Sequence, residues 1–531
     1  GASSTLQYKG SAAQTTTAIE LPATFIGSGG LIIDNLSGVI LANTTSVTGP
    51  LQIKSSAIFD INPGIFLTVG GSTTNNGTFT INSDATGTGS FIDNGTISGS
   101  GTATVEKYLT NARYWYVGSP ISNATASSFG ALSGTASTGR RLFYWTENGQ
   151  SWSNVTNGGD AMPVMRGYSI KEFTTGPFTA TFTGALNTGS QGSSSNLTRS
   201  GAGSYNGLNL ISNPYPSAID WGSQSVPTPG LTRTNLASSV WYRSAALLAT
   251  YNWTSGVGQN GGQQIIPAMQ SFWVCVFPGS TGGVQLTNTT RLHSTQAFYK
   301  AKSIEEKVFR IESRRDSLKD EAVILFHENA YDSSEVYDSP KMFAPDTAYP
   351  QVYTISSDSV KMAINGIPAM LPDETRIISL GFLSQGTDSF TLVATNLALF
   401  NADISVFLED LNTYVMQNLR LTDTYKFYSG PVDNLDRFRL HFNYTVTQTP
   451  EQANESGVLV YGYENSVYVY LQDKSGARIE LYDILGKKVT EKTITEKLTR
   501  IPVTTGYGIY VAQIKLANGE QSSHKELIGM Q

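Results

Sequence analysis

Acid–base, nucleophilic and metal chemistry each need particular side chains brought within reach of one another, and this sequence offers few such sets. Its four histidines, His293, His327, His441 and His524, stand singly, and Cys275 is the only cysteine. No Cys/His cluster has zinc-ligand spacing, and a lone cysteine makes no intrachain disulfide. Between 108 and 290 the carboxylates are Glu147, Asp160, Glu172 and Asp220, and nothing in their spacing pairs two of them as glycoside hydrolysis requires. H-E-x-x-H, G-x-S-x-G, phosphate-loop and dinucleotide fingerprints are absent. Gly201-Ala202-Gly203 and Gly256-Val257-Gly258 read as turns. Asp316 to Glu328 and Asp332 to Asp338 bracket an acidic stretch that lacks calcium-loop spacing, so solvated loops are expected there. The reading is a non-enzyme with no catalytic residue, no cofactor and no metal site.

Aromatic chemistry is better represented. All seven tryptophans fall between Trp115 and Trp273, in a stretch poor in charge. Tryptophan faces stack on sugar rings, so a surface for a neutral polysaccharide is one reading and sheet packing is the other. Trp152 and Trp253 are the glycan-stacking candidates, because polar residues flank both.

Strands must position these residues. The chain has 531 residues, enough for roughly three or four domains. It carries 52 glycines and only 14% charged residues, a composition of many short strands joined by turns. The formal net charge is −6 without a basic run, which argues against nucleic-acid binding. No apolar run approaches the ~18–20 residues that cross a bilayer as a helix, so the chain is not expected to span a membrane. A start at Gly1-Ala2-Ser3 without Met or an apolar leader suits an exported chain whose signal peptide has gone, or a trimmed one. Residues 1–300 hold 13 basic and 10 acidic side chains against 22 and 31 in the remainder. That contrast places a boundary near 300.

Within 1–107, apolar triplets such as Leu31-Ile32-Ile33, Leu51-Gln52-Ile53 and Phe79-Thr80-Ile81 recur between Gly/Asn turns. Their spacing is too short for helical crossovers and fits either a β-solenoid or a meander, of which a short parallel solenoid is the favoured reading. Residues 108–295 read as a duplicated, Trp-rich β-sandwich region. Tyr114 to Ser122 is echoed by Asn209 to Ser217, and Met162 to Ile170 by Ile266 to Val274. The two halves are expected to superpose, with Trp145 on Trp241, Trp152 on Trp253 and Tyr168 on Phe272. Residues 296–447 alternate apolar and charged side chains, as in Lys307 to Glu312 and Arg437 to Phe442, and predict a second β-sandwich. Residues 454–531 hold five to seven alternating strands and predict a small Ig-like sandwich.

Several blocks carry a resemblance. Gly207 to Trp221, Ile266 to Trp273, His293 to Gln296 and Tyr337 to Phe343 resemble recurrent blocks of large surface and secreted proteins of the Bacteroidota. Residues 454–531 resemble the type A C-terminal sorting domain of the type IX secretion system. Ile479 to Val489 and Gly508 to Lys515 carry the match, with Glu480, Leu481, Tyr482, Asp483, Leu485, Gly486, Gly508 and Tyr510 as its motif residues.

The resemblance implies a non-enzymatic cargo protein, adhesin-like or structural, located at the cell surface or secreted. It implies an outer-membrane shuttle barrel and translocon as partners, with surface glycans as a further partner class. Polysaccharide binding and membership of a surface homopolymer, hence a homo-oligomer, are the alternative functions. Retention of the sorting module would mean that a partner or a polymer holds it. Asp316-Ser317-Leu318, Asp346-Thr347-Ala348 and Asp358-Ser359-Val360 resemble the O-glycosylation sequon of the same bacteria, with Ser317, Thr347 and Ser359 as acceptors.

Overall fold

The computed structural model describes residues 3–528, apart from 111–112, 134–138, 174–175, 202, 204–205, 245–246, 295–306, 345–348, 372–373, 385, 414, 432–436, 444–457, 464–465, 472–476, 496–497, 505–507, 518 and 520. The fold is all-β, as composition predicts. Short 3₁₀ turns occur at Ala126–Phe129 and Asn288–Thr290. The chain divides into two compact units. The first comprises Gly1–Ala369, Leu383–Asn396 and Lys426–Pro431, and the second comprises Met370–Phe382, Leu397–Tyr425 and Val432–Gln531.

The first unit opens with the expected parallel solenoid. Thr5–Gly10, Gly30–Asn35, Leu51–Ile53, Thr73–Asn75 and Ile97–Ser98 stack along one wall. A second wall runs through Gln14–Thr15, Val39–Leu41, Ile58–Ile61, Thr78–Ile81 and Thr102–Leu109, and a third through Thr24–Phe25, Thr45–Val47, Phe66–Val69 and Ser90–Asp93. Like residues meet between rungs: Leu31 pairs with Leu51, Ile33 with Ile53, and Phe59 with Phe79. The Phe59 and Phe79 rings stack with centroids 5.6 Å apart. Corners come too close for a side chain, since a Cβ on Gly95 would lie 2.7 Å from the Gly71 carbonyl oxygen.

The last rung does not end the domain. Thr102–Leu109 continues past the expected 107/108 boundary and pairs antiparallel with Phe178–Gly184. It is thus also the first strand of a repeated six-strand unit. In the first copy that ribbon accompanies a sheet of order Trp115–Val117, Tyr168–Glu172, Arg140–Thr146, Ser151–Val155. In the second copy Gln191–Leu197 pairs with Gly282–Leu286. Its sheet runs Leu208–Ser212, Ser271–Cys275, Ser239–Ser244, Leu247–Asn252, the same order, with Val257–Gln259 added.

Beyond the copies, the first unit carries a sheet of order Gln351–Ile355, Lys361–Pro368, Leu318–His327, Val308–Arg315, Asp388–Ala394. The pair Leu318–His327 and Lys361–Pro368 is parallel. In the second unit Val415–Asn418, Val406–Asp410, Phe438–Phe442 and Arg376–Leu383 are consecutive antiparallel neighbours. The C-terminal residues of that unit form two sheets. One has the order Val458–Tyr463, Ser466–Leu471, Leu498–Pro502, and the other Lys488–Ile494, Ala477–Asp483, Gly508–Leu516, Gln521–Ile528. The two sheets share a core running from Val458 to Ile514. The expected boundaries at 295–296 and 447–454 lie outside the described residues.

Candidate functional site

Strand register decides which aromatic residues the duplication brings together. Tyr168 pairs with Val117, and Phe272 with Ile211, so Tyr168 and Phe272 are equivalent as expected. The tryptophans are not. Trp241 pairs with Trp273, the neighbour of Phe272, whereas the neighbour of Tyr168, Ser169, pairs with Phe143. Trp241 therefore corresponds to Phe143, and Trp145 to Arg243. Trp152 lies opposite Trp145, and Leu248 opposite Arg243, so Leu248 is the counterpart of Trp152. Trp253 falls beyond the strand Leu247–Asn252 altogether. The expected pairs Trp145 with Trp241 and Trp152 with Trp253 are corrected accordingly. Sequence matching absorbed the difference in loop length between the copies, and hydrogen-bond register does not.

The two copies meet across an approximate two-fold relation. The Gly118 amide donates to the Met269 carbonyl (2.8 Å), and the equivalent Ser212 amide donates to the Met165 carbonyl (2.9 Å). Val117 bridges to Gln270 as Ile211 bridges to Arg166. Met165 and Met269 both hold a left-handed backbone, at φ 63° and 60°, in turns closed by Arg166 N to Pro163 O and Gln270 N to Pro267 O. That conformation costs a non-glycine residue roughly 1–2 kcal/mol. Both methionines are buried, which holds the turn.

Most of the tryptophans serve this junction or the cores. Trp145, Trp152, Trp273 and Tyr116 form an edge-to-face and tilted cluster with centroids 5.3–6.1 Å apart. Trp145 Nε1 donates to Leu208 O at 2.8 Å, and Trp241 Nε1 to Pro340 O at 3.0 Å. Trp221 is fully buried against Phe272. Of the stacking candidates, Trp152 is 39% exposed at the rim of the cluster. Trp253 is packed against the second core, and Arg233 covers its ring at 4.1 Å. The structure does not bring these two residues together, and Trp253 has a guanidinium where a sugar would stack.

A cleft of about 240 Å³ opens beside the junction, lined among others by Trp145, Met165, Arg166, Asn196, Asn209 and Leu210. Arg166 separates it from a second hollow lined by Tyr144, Asp160 and Tyr168, and its guanidinium lies 5.1 Å from the centre of the Tyr144 ring. Asn209 is held by its Nδ2, which donates to Thr198 O and Gly207 O, each at 2.9 Å. Sequence reading missed this cleft. Its walls come from both copies, and the available signal was the exchange of Trp115 for Asn209 at matching positions.

The remaining candidates sit at turns. Ser317 is exposed in the hairpin between Val308–Arg315 and Leu318–His327, after Asp316 at φ 52°. Ser359 is exposed at φ 65°, while the carboxylate of Asp358 is engaged by Ser334 and by Ser356 Oγ at 2.5 Å. Thr347 lies outside the described residues.

In the C-terminal motif, Leu481 and Tyr510 are core residues and Gly508 opens a strand. Glu480 accepts from Tyr482 (2.7 Å) and Lys488 (3.0 Å), and those bonds hold its carboxyl down at about 2. Asp483 Oδ1 accepts from the amides of Leu485 and Lys487, both at 2.9 Å, and fixes a tight turn with Gly486 at φ 81°. The turn presents Leu485 to solvent at 90% exposure, beside exposed Ile484.

No group of three or more His, Cys, Asp or Glu residues suited to a metal occurs among the described residues. Likewise, none of their helices is long and apolar enough to cross a membrane.

Solved structures show only distant likeness. PorZ, an essential surface component of the type IX secretion system of Porphyromonas gingivalis, shares 13% identity at a TM-score of 0.13, over 74% of this chain and 43% of its own. A β-glucuronidase from Ruminococcus gnavus shares 11% at a TM-score of 0.11, over 79% of this chain and 46% of its own. This chain thus spans less than half of either protein, and at such scores neither says what it does. No curated protein matches the sequence. A family model described as a domain of unknown function (DUF8693) matches residues 29–442, over the solenoid, both copies and the sheets that follow, and the chain belongs to that family.

Proposed function

We propose that this chain is a non-enzymatic, exported cell-surface protein, adhesin-like or structural, carried as cargo of the type IX secretion system by its C-terminal module. The observation that carries the reading is the module itself. Its two sheets enclose a core drawn entirely from residues 458–516, and the motif that resembles a sorting domain forms its hairpin and central strands. A segment with its own core can serve as an address independent of the cargo before it. The implied partners are the outer-membrane shuttle barrel and translocon. In a type IX-competent host, removing 454–531 should leave the remainder in the periplasm, and fusing 454–531 to a periplasmic reporter should bring the reporter to the surface. A truncated chain that still reaches the surface refutes the proposal.

A second reading, a glycan-binding surface protein, is favoured by the cleft beside Trp145 and Arg166, which joins an aromatic wall to polar groups as small-ligand sites do. Trp253, with Arg233 over its ring, gives it no support.

A further inference from the structure

The approximate two-fold relation assigns every wall of the cleft a counterpart in the other copy. Register places Trp115 opposite Asn209, since they pair with the equivalent residues Ile170 and Val274. By the same registers Gln270 stands for Arg166, Ala268 for Val164 and Arg243 for Trp145.

On the counterpart side the space is filled. Trp115 packs against the first core, as does Ala268. Its Nε1 donates to Thr110 O at 2.7 Å, and the Arg113 guanidinium covers its ring at 3.8 Å. Gln270 is 5% exposed, with Nε2 donating to Tyr116 O and Ser271 O. Arg243 is buried over Tyr114 and Tyr116. Across the two-fold relation, Asn209 leaves the place of an indole unfilled, and exposed Arg166 replaces a buried amide.

We infer that this cleft is a binding site for one acidic sugar ring, a six-membered ring bearing a carboxylate, within a surface or environmental glycan. The inference deepens the glycan-binding reading and rests on it. A vacancy left by one aromatic side chain has room for a single ring, and about 240 Å³ is below the roughly 300–1,000 Å³ of larger ligand sites. Trp145 supplies an aromatic wall. Asn196 offers an amide to hydroxyls, and Asn209, whose Nδ2 is engaged by Thr198 O and Gly207 O, offers its Oδ1 as an acceptor, as polar groups that fix a ligand's orientation do. Arg166 is the one charged residue among the described residues that line the cleft. Its guanidinium stands over Tyr144 and bonds Tyr168 on the side of the second hollow, and its planar fork matches a carboxylate. Residues 1–300 hold a slight basic excess, 13 against 10, with Asp160 as the carboxylate that lines the hollow on the other side of Arg166.

Two substitutions copy the other half of the molecule and test the site. Arg166→Gln reproduces Gln270 at an exposed position, and Asn209→Trp reproduces Trp115. The full chain is titrated calorimetrically with tri-galacturonate, and with maltotriose as the uncharged control. Tri-galacturonate should bind the wild type, weaken at least about tenfold in Arg166→Gln, the loss expected of a charge-assisted bond, and fail to bind Asn209→Trp. Equal binding to the wild type and both variants overturns the inference, as does the absence of tri-galacturonate binding up to about 10 mM, weaker than any specific site here should be. Maltotriose binding that Asn209→Trp abolishes, without tri-galacturonate binding, overturns the acidic assignment and leaves the glycan reading standing. Failure of both probes overturns both.

Discussion

At the scale of single residues, burial has set two titrations against each other. His293 lies between two solenoid strands, with Nε2 2.8 Å from Thr68 Oγ1, Nδ1 2.8 Å from Ser90 Oγ and its ring stacked on Phe66 at 5.1 Å. Burial, helped by the nearby Arg291 charge, holds its pKa down to about 4. The unfolded chain therefore binds more protons between pH 4 and about 6.5, and this group's share of stability is full above that window and lost as pH falls through it, up to about 3 kcal/mol. Asp338 works in the opposite sense. Burial pushes its carboxyl up to about 7, against the pull of the Glu335 and Gly366 amides. Its share is full below about 3.8 and lost as pH rises towards 7. The two slopes oppose each other across pH 4–6.5 in the wild type. His293→Gln should uncover a stability that falls with rising pH, and Asp338→Asn one that rises, read from urea midpoints at pH 4, 5, 6 and 7. Identical profiles for all three proteins would contradict both burials.

At the scale of elements, the strand Thr102–Leu109 has two parents. It closes the solenoid by pairing with Thr78–Ile81 and opens the first copy by pairing with Phe178–Gly184. The alternation along it was readable in the sequence, but a second partner some 75 residues downstream was not, because an edge carries no mark of what will cover it. The junction between the copies has a similar asymmetry. Gly118 and Ser212 are equivalent and adjacent, and a Cβ on Gly118 would lie 2.2 Å from the Cβ of Ser212. One of the two must stay small. Gly118→Ala should cost about 1–3 kcal/mol by overpacking, and adding Ser212→Gly should restore most of it in a denaturation double-mutant cycle. A cost that persists in the double variant would place the strain elsewhere.

At the scale of the molecule, one buried ion pair ties the end of the second copy to the solenoid. Arg291 Nη1 donates to Asp93 Oδ1 at 2.8 Å and Nη2 to the Asp93 carbonyl, Thr188 Oγ1 donates to Asp93 Oδ2 at 2.6 Å, and the two charged side chains have almost no exposure. Arg291→Gln strands a buried carboxylate and should cost about 3–5 kcal/mol, whereas Arg291→Met with Asp93→Leu should cost far less. Urea denaturation of the full chain checks both, and a small cost for Arg291→Gln would mean that water reaches Asp93. The sequence alone determined that the chain is all-β and that it begins with a solenoid. Each of these follows from local quantities: alternation of period two and turn residues at short intervals. It also located the duplication through Pro120 and Pro214 and through Pro163 and Pro267. Only the tertiary structure decided that Trp241 answers Phe143, that Trp152 answers Leu248 and that Asn209 vacates the space Trp115 fills. Those facts depend on hydrogen-bond register across loops of unequal length and on which faces meet, and register is fixed by pairing partners distant in sequence rather than by any local pattern.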